Sequence, residues 1–300
     1  MKYHNTLQRF IFESHPIRGN IVQLNSAYTD ALANHNYPTV LRNALGELMA
    51  AAALLVSTLK MQGALVLQIQ GSGALKLLVV ECKSNLEMRA TAKFNEELIN
   101  SQPNSSFIEL IGKGHFVITL DPKEDTTNPN AQPYQGIVPL EGDSIATILQ
   151  NYMYRSEQIE TNIWLACDND TAAGMLVQKL PEIEGNDADA WNRINSLADT
   201  VKANELLNDD SETLLNKLFV EEDVRLFNAE IAQFKCSCSR NSVGNMLKML
   251  GEAELTDILK EREKVDVNCD FCNAAYRFDV IDIEQLFVAD TAIEASTTKH

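Results

Sequence analysis

The chain is short of positive charge. Its 25 Lys and Arg stand against 42 Asp and Glu, a formal net charge of −17. A nucleic-acid binder normally needs a basic patch to neutralise phosphates, so DNA and RNA are not expected as main partners. Long apolar runs are also missing. The most apolar one, Leu48–Leu59, is too short to span a bilayer. Met1–Ser14 mixes polar and apolar residues where a secretory signal keeps an unbroken apolar core. A soluble, cytoplasmic protein with no membrane partner is expected. Catalytic signatures are lacking as well. There is no phosphate-binding loop, nucleophile elbow or dinucleotide fingerprint, and His4, His15, His35, His115 and His300 show no metal or catalytic spacing. No catalytic residue is assigned, and a non-enzyme is expected.

What is present is a chain of 300 residues, 45% hydrophobic, with room for one large domain and a smaller one. The charge is uneven. Residues 1–180 hold 13 Lys and Arg against 17 Asp and Glu; residues 181–300 hold 12 against 25, so the rear repels itself and should be less firmly folded.

Strands are predicted at Thr6–Glu13, Ile17–Leu24 (with Gly19 as a possible bulge), Ala64–Gln70, Ala74–Lys83, Glu87–Phe94, Gly114–Asp121, Tyr134–Leu140, Ile159–Asp168 and Ala172–Lys179. Gly71-Ser72-Gly73 reads as a hairpin turn whose glycines permit the turn dihedrals. Pro38 opens a helix to about Leu59, and Asp143 caps another through Ser156. Pro122–Pro133 reads as a surface loop. The expected fold class is α+β: an antiparallel-sheet-rich N-terminal domain with packed helices over 1–180, a helical linker over 181–235, and a small four-cysteine domain over 236–292, followed by a tail over 293–300. The linker begins with an acidic stretch, Glu182–Asp189. Short amphipathic helices follow, marked by Trp191, Ile194, Leu197, Val201, Leu214, Leu215, Leu218 and Phe219, with strand signals nearly absent.

Four of the six cysteines fall in two tight pairs, Cys236-Ser237-Cys238 and Cys269-Asp270-Phe271-Cys272. A thiolate zinc site needs four sulfurs converging tetrahedrally, and each close pair chelates half of it. One Zn2+ per chain is expected on Cys236, Cys238, Cys269 and Cys272. Lys235 and Arg240 flank the first pair and are expected to favour its thiolates. Between and after the pairs, helices are predicted near Ser242–Leu250, over Glu252 to about Arg262 and at Ile283–Val288, with a strand at Tyr276–Val280. This segment buries little apolar surface, so loss of metal should unfold it. A metal that only staples a domain is the commoner use of such a site, and thiol oxidoreduction is the enzymatic reading of Cys269 and Cys272. Both stay open on spacing alone. Cys82 and Cys167 read as inert core residues.

The order of motifs resembles the 33 kDa chaperonins, the redox-regulated heat-shock holdases of bacteria, from about residue 6 to residue 288. The resemblance is carried by Leu45-Gly-Glu-Leu-Met-Ala-Ala-Ala-Ala-Leu-Leu55, Leu65-Val-Leu-Gln-Ile-Gln-Gly-Ser-Gly73, Leu77-Leu-Val-Val-Glu-Cys82, Tyr134-Gln-Gly-Ile-Val138, Ser156-Glu-Gln158 and Ala172-Ala-Gly174. At the rear it rests on Leu218-Phe219, Val224-Arg-Leu-Phe227, Cys236-Ser-Cys-Ser-Arg240, Cys269-Asp-Phe-Cys272 and Tyr276-Arg-Phe-Asp279. Departures are minor: Asn241-Ser242 replaces commoner charged residues, and Ile159-Glu160-Thr161 replaces a commoner Leu-Pro-Thr. The resemblance implies an inactive, reduced, zinc-bound state. Oxidation forms the disulfides Cys236–Cys238 and Cys269–Cys272, zinc leaves, and the tail domain and linker unfold. Exposed apolar surface then binds unfolding client proteins without ATP, and the active form is a homodimer. Trp191, Ile194, Leu197, Val201, Leu214, Leu215, Leu218 and Phe219 are the expected client-binding residues. A constitutive protein-binding module with structural zinc and a thiol-disulfide oxidoreductase are the alternatives.

Overall fold

The computed structural model describes residues 5–59, 62–122, 131–181, 187 and 189–287. The chain divides into two compact units, one ending at Lys235 and one starting at Cys236.

The front unit is built on two sheets. Its strands are β1 (Thr6–Phe12), β2 (Ile17–Leu24), β3 (Ala64–Gly71), β4 (Leu75–Lys83), β5 (Glu87–Phe94), β6 (Gly114–Asp121), β7 (Tyr134–Pro139), β8 (Thr161–Cys167), β9 (Ala172–Lys179), β10 (Val224–Leu226), β11 (Glu230–Ile231) and β12 (Gln233–Phe234). Its helices are α1 (Ser26–Leu32), α2 (Thr39–Val56), α3 (Glu96–Asn100), α4 (Phe107–Ile111), α5 (Ile145–Arg155), α6 (Ala190–Ala198), α7 (Ala203–Asn208) and α8 (Ser211–Leu218). One sheet runs β10-β1-β2-β9-β8, with β11 also on β1; the other runs β12-β5-β4-β3-β6-β7. Pairing is antiparallel except for β12 on β5. The fold class read from the sequence, α+β with antiparallel sheets, is the one observed.

Helix α2 explains how the sheets come together. It packs against β2, β8 and β9 of one sheet and β3, β4 and β5 of the other. From Leu48 to Val56 the helix is apolar on all sides and has no face to give to water. Accordingly, every residue from Leu48 to Leu54 is fully buried, and the small side chains of Ala50–Ala53 let both sheets approach its backbone. It is the one described helix long and apolar enough to cross a membrane, and most of it is buried in this core.

The opposite face of β1, β2 and β9 carries a second core, covered by α6 to α8. Phe10, Phe12 and Phe219 form its aromatic centre, with ring centroids 5.0 to 6.4 Å apart. Gly19 is not a bulge, because the register through it is regular on both sides. A Cβ at that position would lie 2.1 Å from Phe10 Cζ, so glycine makes room for the ring.

Other local readings also shift. The helix after Pro38 ends at Val56 rather than Leu59, and Ser144, not Asp143, caps α5, accepting from the Thr147 N–H at 3.2 Å. Gly71 and Gly73 are not at positive φ. Their turn lies against the end of α4, where Cβ atoms would sit 2.5 Å from Leu75 O and 2.4 Å from Leu110 O. Strands β10 to β12 occupy a stretch read as helical. Of Pro122–Pro133, residues 123–130 lie outside the described residues, as do 182–186 and 188 of the acidic stretch, 288–292 of the four-cysteine domain and the whole tail over 293–300.

The rear unit is small. It contains α9 (Arg240–Leu250), α10 (Glu252–Glu261), β13 (Val265–Asn268), β14 (Ala275–Phe278) and a final helix over 280–287. β13 and β14 form an antiparallel pair. Its core consists of Val243, Leu247, Leu255, Val265, Phe278 and Ile283.

Candidate metal centre

Two local structures bring the cysteines together. Cys236 and Cys238 lie just before α9, whose first turn is capped by Ser239: its hydroxyl accepts the Ser242 N–H at 3.1 Å. Cys269 and Cys272 lie in the turn between β13 and β14. That turn closes through Asn273 N–H to Cys269 O at 2.8 Å and Cys269 N–H to Ala274 O at 2.9 Å. Asn273 takes φ 56°, the left-handed conformation that asparagine tolerates better than most residues.

The four sulfurs lie within 4.8 Å of one another, with Cys236 to Cys269 at 3.6 Å and Cys238 to Cys272 at 3.3 Å. Zinc–sulfur bonds of about 2.3 Å in a tetrahedron place sulfurs about 3.8 Å apart, so this donor set fits a zinc ion. All four cysteines are half-buried.

The electrostatics favour a cation. Burial opposes the Cys238 thiolate, but the Tyr276 hydroxyl, which donates to its sulfur at 3.1 Å, and the neighbouring thiols outweigh burial. They hold the thiol down at about 7. Burial pushes Cys236 up, and burial with the hydrogen bond to Cys238 pushes Cys272 up to about 12. The hydroxyl's own hydrogen bond to Cys238, with burial, raises Tyr276 to about 12. The cluster by itself thus favours the Cys238 thiolate and resists those of Cys236 and Cys272; a dication reverses that balance.

Tyr276 was not singled out from sequence. Its signal was available: Tyr276 and Phe278 alternate along a strand and share a face, so a residue two before a core position points inward. The expected role of the flanking cations is not what the structure gives. Lys235 pairs with Glu87 of β5. Arg240 pairs with Asp282 at 2.7 Å, donates to Arg277 O at 2.8 Å and lies 4.4 Å from the Phe278 ring centroid. Both are engaged elsewhere, and the donor at the sulfur is the tyrosine.

The other singled-out residues lie apart from this centre. Ile194, Leu214, Leu215, Leu218 and Phe219 are buried in the second core of the front unit, and Trp191, Leu197 and Val201 pack half-buried against it. Cys82 is fully buried and its thiol is raised by burial. Cys167 is half-buried, and burial pushes its thiol up to about 12.

Fold and site together define a class: an antiparallel α+β body followed by a small module built around four convergent thiols. Comparison with known proteins narrows it. Residues 5–279 match the family model described as Hsp33 protein. The 33 kDa chaperonin of Methylobacillus flagellatus is 56% identical over the full length of both chains. That of Chromobacterium violaceum is 46% identical, covering 100% of this chain and 99% of its own. The crystal structure of the Hsp33 homologue from Thermotoga maritima superposes with a TM-score of 0.80, covering 96% of this chain and 100% of that one, at 23% identity, a likeness of fold. The chain belongs to the Hsp33 family. Its function is accordingly that of a chaperone, whose clients are unfolded proteins, in a family not defined by catalysis.

Proposed function

We propose that this chaperone is an ATP-independent holdase controlled by oxidation of the four-cysteine centre. The observation that supports this most is the pairing of four convergent sulfurs with a core of six buried apolar residues in the rear unit. So small a core does not readily outweigh the chain entropy of ordering it. Zinc bound to Cys236, Cys238, Cys269 and Cys272 supplies the missing free energy, on the order of 10–16 kcal/mol in small zinc domains.

The protein's own chemistry then makes the switch. Four thiolates become the disulfides Cys236–Cys238 and Cys269–Cys272, giving up four electrons. Two peroxide molecules accept them with four protons and leave as four waters. Disulfide sulfur is a poor metal ligand, so the module loses what held it shut. The module, over 236–292, unfolds together with the linker over 181–235, and the body over 1–180 keeps its fold. The apolar faces at Trp191, Ile194, Leu197, Val201, Leu214, Leu215, Leu218 and Phe219 then leave their core and meet unfolded clients. The active form is a homodimer, working in the cytoplasm. Neither nucleic acid nor membrane is a partner.

The test is to treat zinc-loaded protein with peroxide at mildly raised temperature. Zinc release and suppression of client aggregation should rise together, and a thiol reductant with zinc should reverse both. Full client protection in the reduced protein would favour a constitutive binder with structural metal. Catalytic insulin reduction would favour an oxidoreductase; the placing of Cys269 and Cys272 in a strand-to-strand turn, rather than at a helix start, speaks against that reading.

A further inference from the structure

Arg18, on β2, is a half-buried cation with no carboxylate within ion-pair distance among the described residues. Its Nε and Nη2 both donate to Oε1 of Gln178, at 2.9 and 2.5 Å. Gln178 is fully buried, faces Arg18 in the strand register and donates its own Nε2 to Thr161 Oγ1 at 2.9 Å. The guanidinium is therefore fixed in place by a neutral amide, and its charge is left uncompensated. A guanidinium carries five donors, so an edge remains for another acceptor.

Arg18 lines a cavity of about 290 Å³ at the end of α2. In the strand register Ile11 faces Arg18 and Arg9 faces Asn20, which puts these four side chains on one face. Thr58 and Phe227 complete the wall. The other polar groups are committed: Arg9 pairs with Glu230 at 2.9 Å, Asn20 Nδ2 donates to Ser57 Oγ at 2.8 Å, and Thr58 Oγ1 donates to Leu55 O at 2.7 Å. Arg18 is thus the charged group of this lining with no carboxylate partner among the described residues, between apolar walls at Ile11 and Phe227. The carbonyl end of α2 adjoins the same space, and its partial negative charge opposes any anion there, a dianion such as phosphate more than a singly charged carboxylate. A planar carboxylate fits a guanidinium edge.

We propose that this cavity binds a carboxylate attached to an apolar chain, with the carboxylate on Arg18 and the chain against Ile11 and Phe227. The last residue of a polypeptide ending in an apolar side chain and a free aliphatic acid share this chemistry. The site stands or falls independently of the thiol switch. The full-length reduced, zinc-loaded protein is titrated with N-acetyl-leucine, N-acetyl-leucinamide, octanoate and inorganic phosphate, followed by amide chemical shifts. A carboxylate should shift residues 9–11, 18–20 and 58 saturably. N-acetyl-leucinamide should bind roughly tenfold or more weaker than N-acetyl-leucine, and Arg18→Met should bring the acid to the level of the amide. Binding of N-acetyl-leucine supports the site with chain ends as the source; binding of octanoate alone supports it with free acids as the source. Equal binding of acid and amide, an unchanged Arg18→Met, tighter binding of phosphate, or no saturable shift from either carboxylate overturns the proposal. Should Arg18→Met fail to fold, Phe227→Ala on the half-open wall decides: severalfold weaker binding of the acid supports the site, and unchanged binding overturns it.

Discussion

Replacing Phe278 by alanine tests whether the rear unit depends on its metal. The ring is 2% exposed, one of six buried apolar side chains among that unit's described residues, and Arg240 stacks on it. Removing a buried phenyl ring costs about 3–5 kcal/mol, and the lost cation–π contact adds about 0.5–1 kcal/mol. If folding of the unit is coupled to metal binding, this entire cost is subtracted from the apparent affinity for zinc. At about 1.4 kcal/mol per tenfold, zinc affinity should fall by two to four orders of magnitude. Competition with a chromophoric chelator at fixed pH, on reduced protein, measures it. The melting of the front unit should not move, since Phe278 belongs to a separate core. An unchanged zinc affinity would refute the reasoning, because it would mean that the unit is folded before the metal arrives.

Four further outcomes are expected. Chelation of zinc from the wild-type protein should abolish amide-exchange protection over 236–287 while β3, β4 and β9 keep theirs. Tyr276→Phe removes the hydroxyl donor that holds Cys238 down at about 7; in metal-free reduced protein the pH midpoint of Cys238 alkylation should therefore move upward, toward the ordinary thiol value of about 8.5. Cys82 and Cys167, both raised by burial, should resist alkylation at pH 8 until denaturant is added, as read by mass spectrometry. Gly19→Ala should crowd the Phe10 ring, costing about 1–3 kcal/mol, and lower the melting temperature of the front unit by about 2–12 °C.

Legibility in the sequence followed the range of the forces involved. Strands such as Ala172–Lys179, buried along nearly their whole length, and the helix with the apolar run Leu48–Val56 were readable because an unbroken apolar stretch marks an element buried on all sides. Helix α1 was missed. Its seven residues are too few for a periodic signal, and its first turn is held by Asn5, whose Oδ1 accepts the Asn25 and Ala27 N–H groups at 2.7 and 2.9 Å. Strands β10 to β12 are two or three residues long and exist by pairing with β1 and β5, which lie more than a hundred residues away in sequence. The glycines of the β3–β4 turn were located correctly and explained wrongly, because the end of α4, and for Gly71 also Leu75 O of the hairpin itself, crowds them. At the metal centre the four sulfurs were legible from spacing. The tyrosine donor was legible only in part: alternation with Phe278 puts Tyr276 on the inward face of its strand, but nothing local says that a sulfur lies opposite it. The flanking cations misled, because their partners come from residues far off in the chain.

The short strands that return at 224–234 close off the outer margins of β1 and β5. Lifting that stretch away would bare more than grease. It would leave two rows of main-chain amide and carbonyl groups with nothing to bond. Any extended polypeptide can zip onto such a margin whatever its side chains, because every residue carries the same backbone. A binder of that kind would draw its tolerance for unrelated guests from peptide geometry as well as from oiliness.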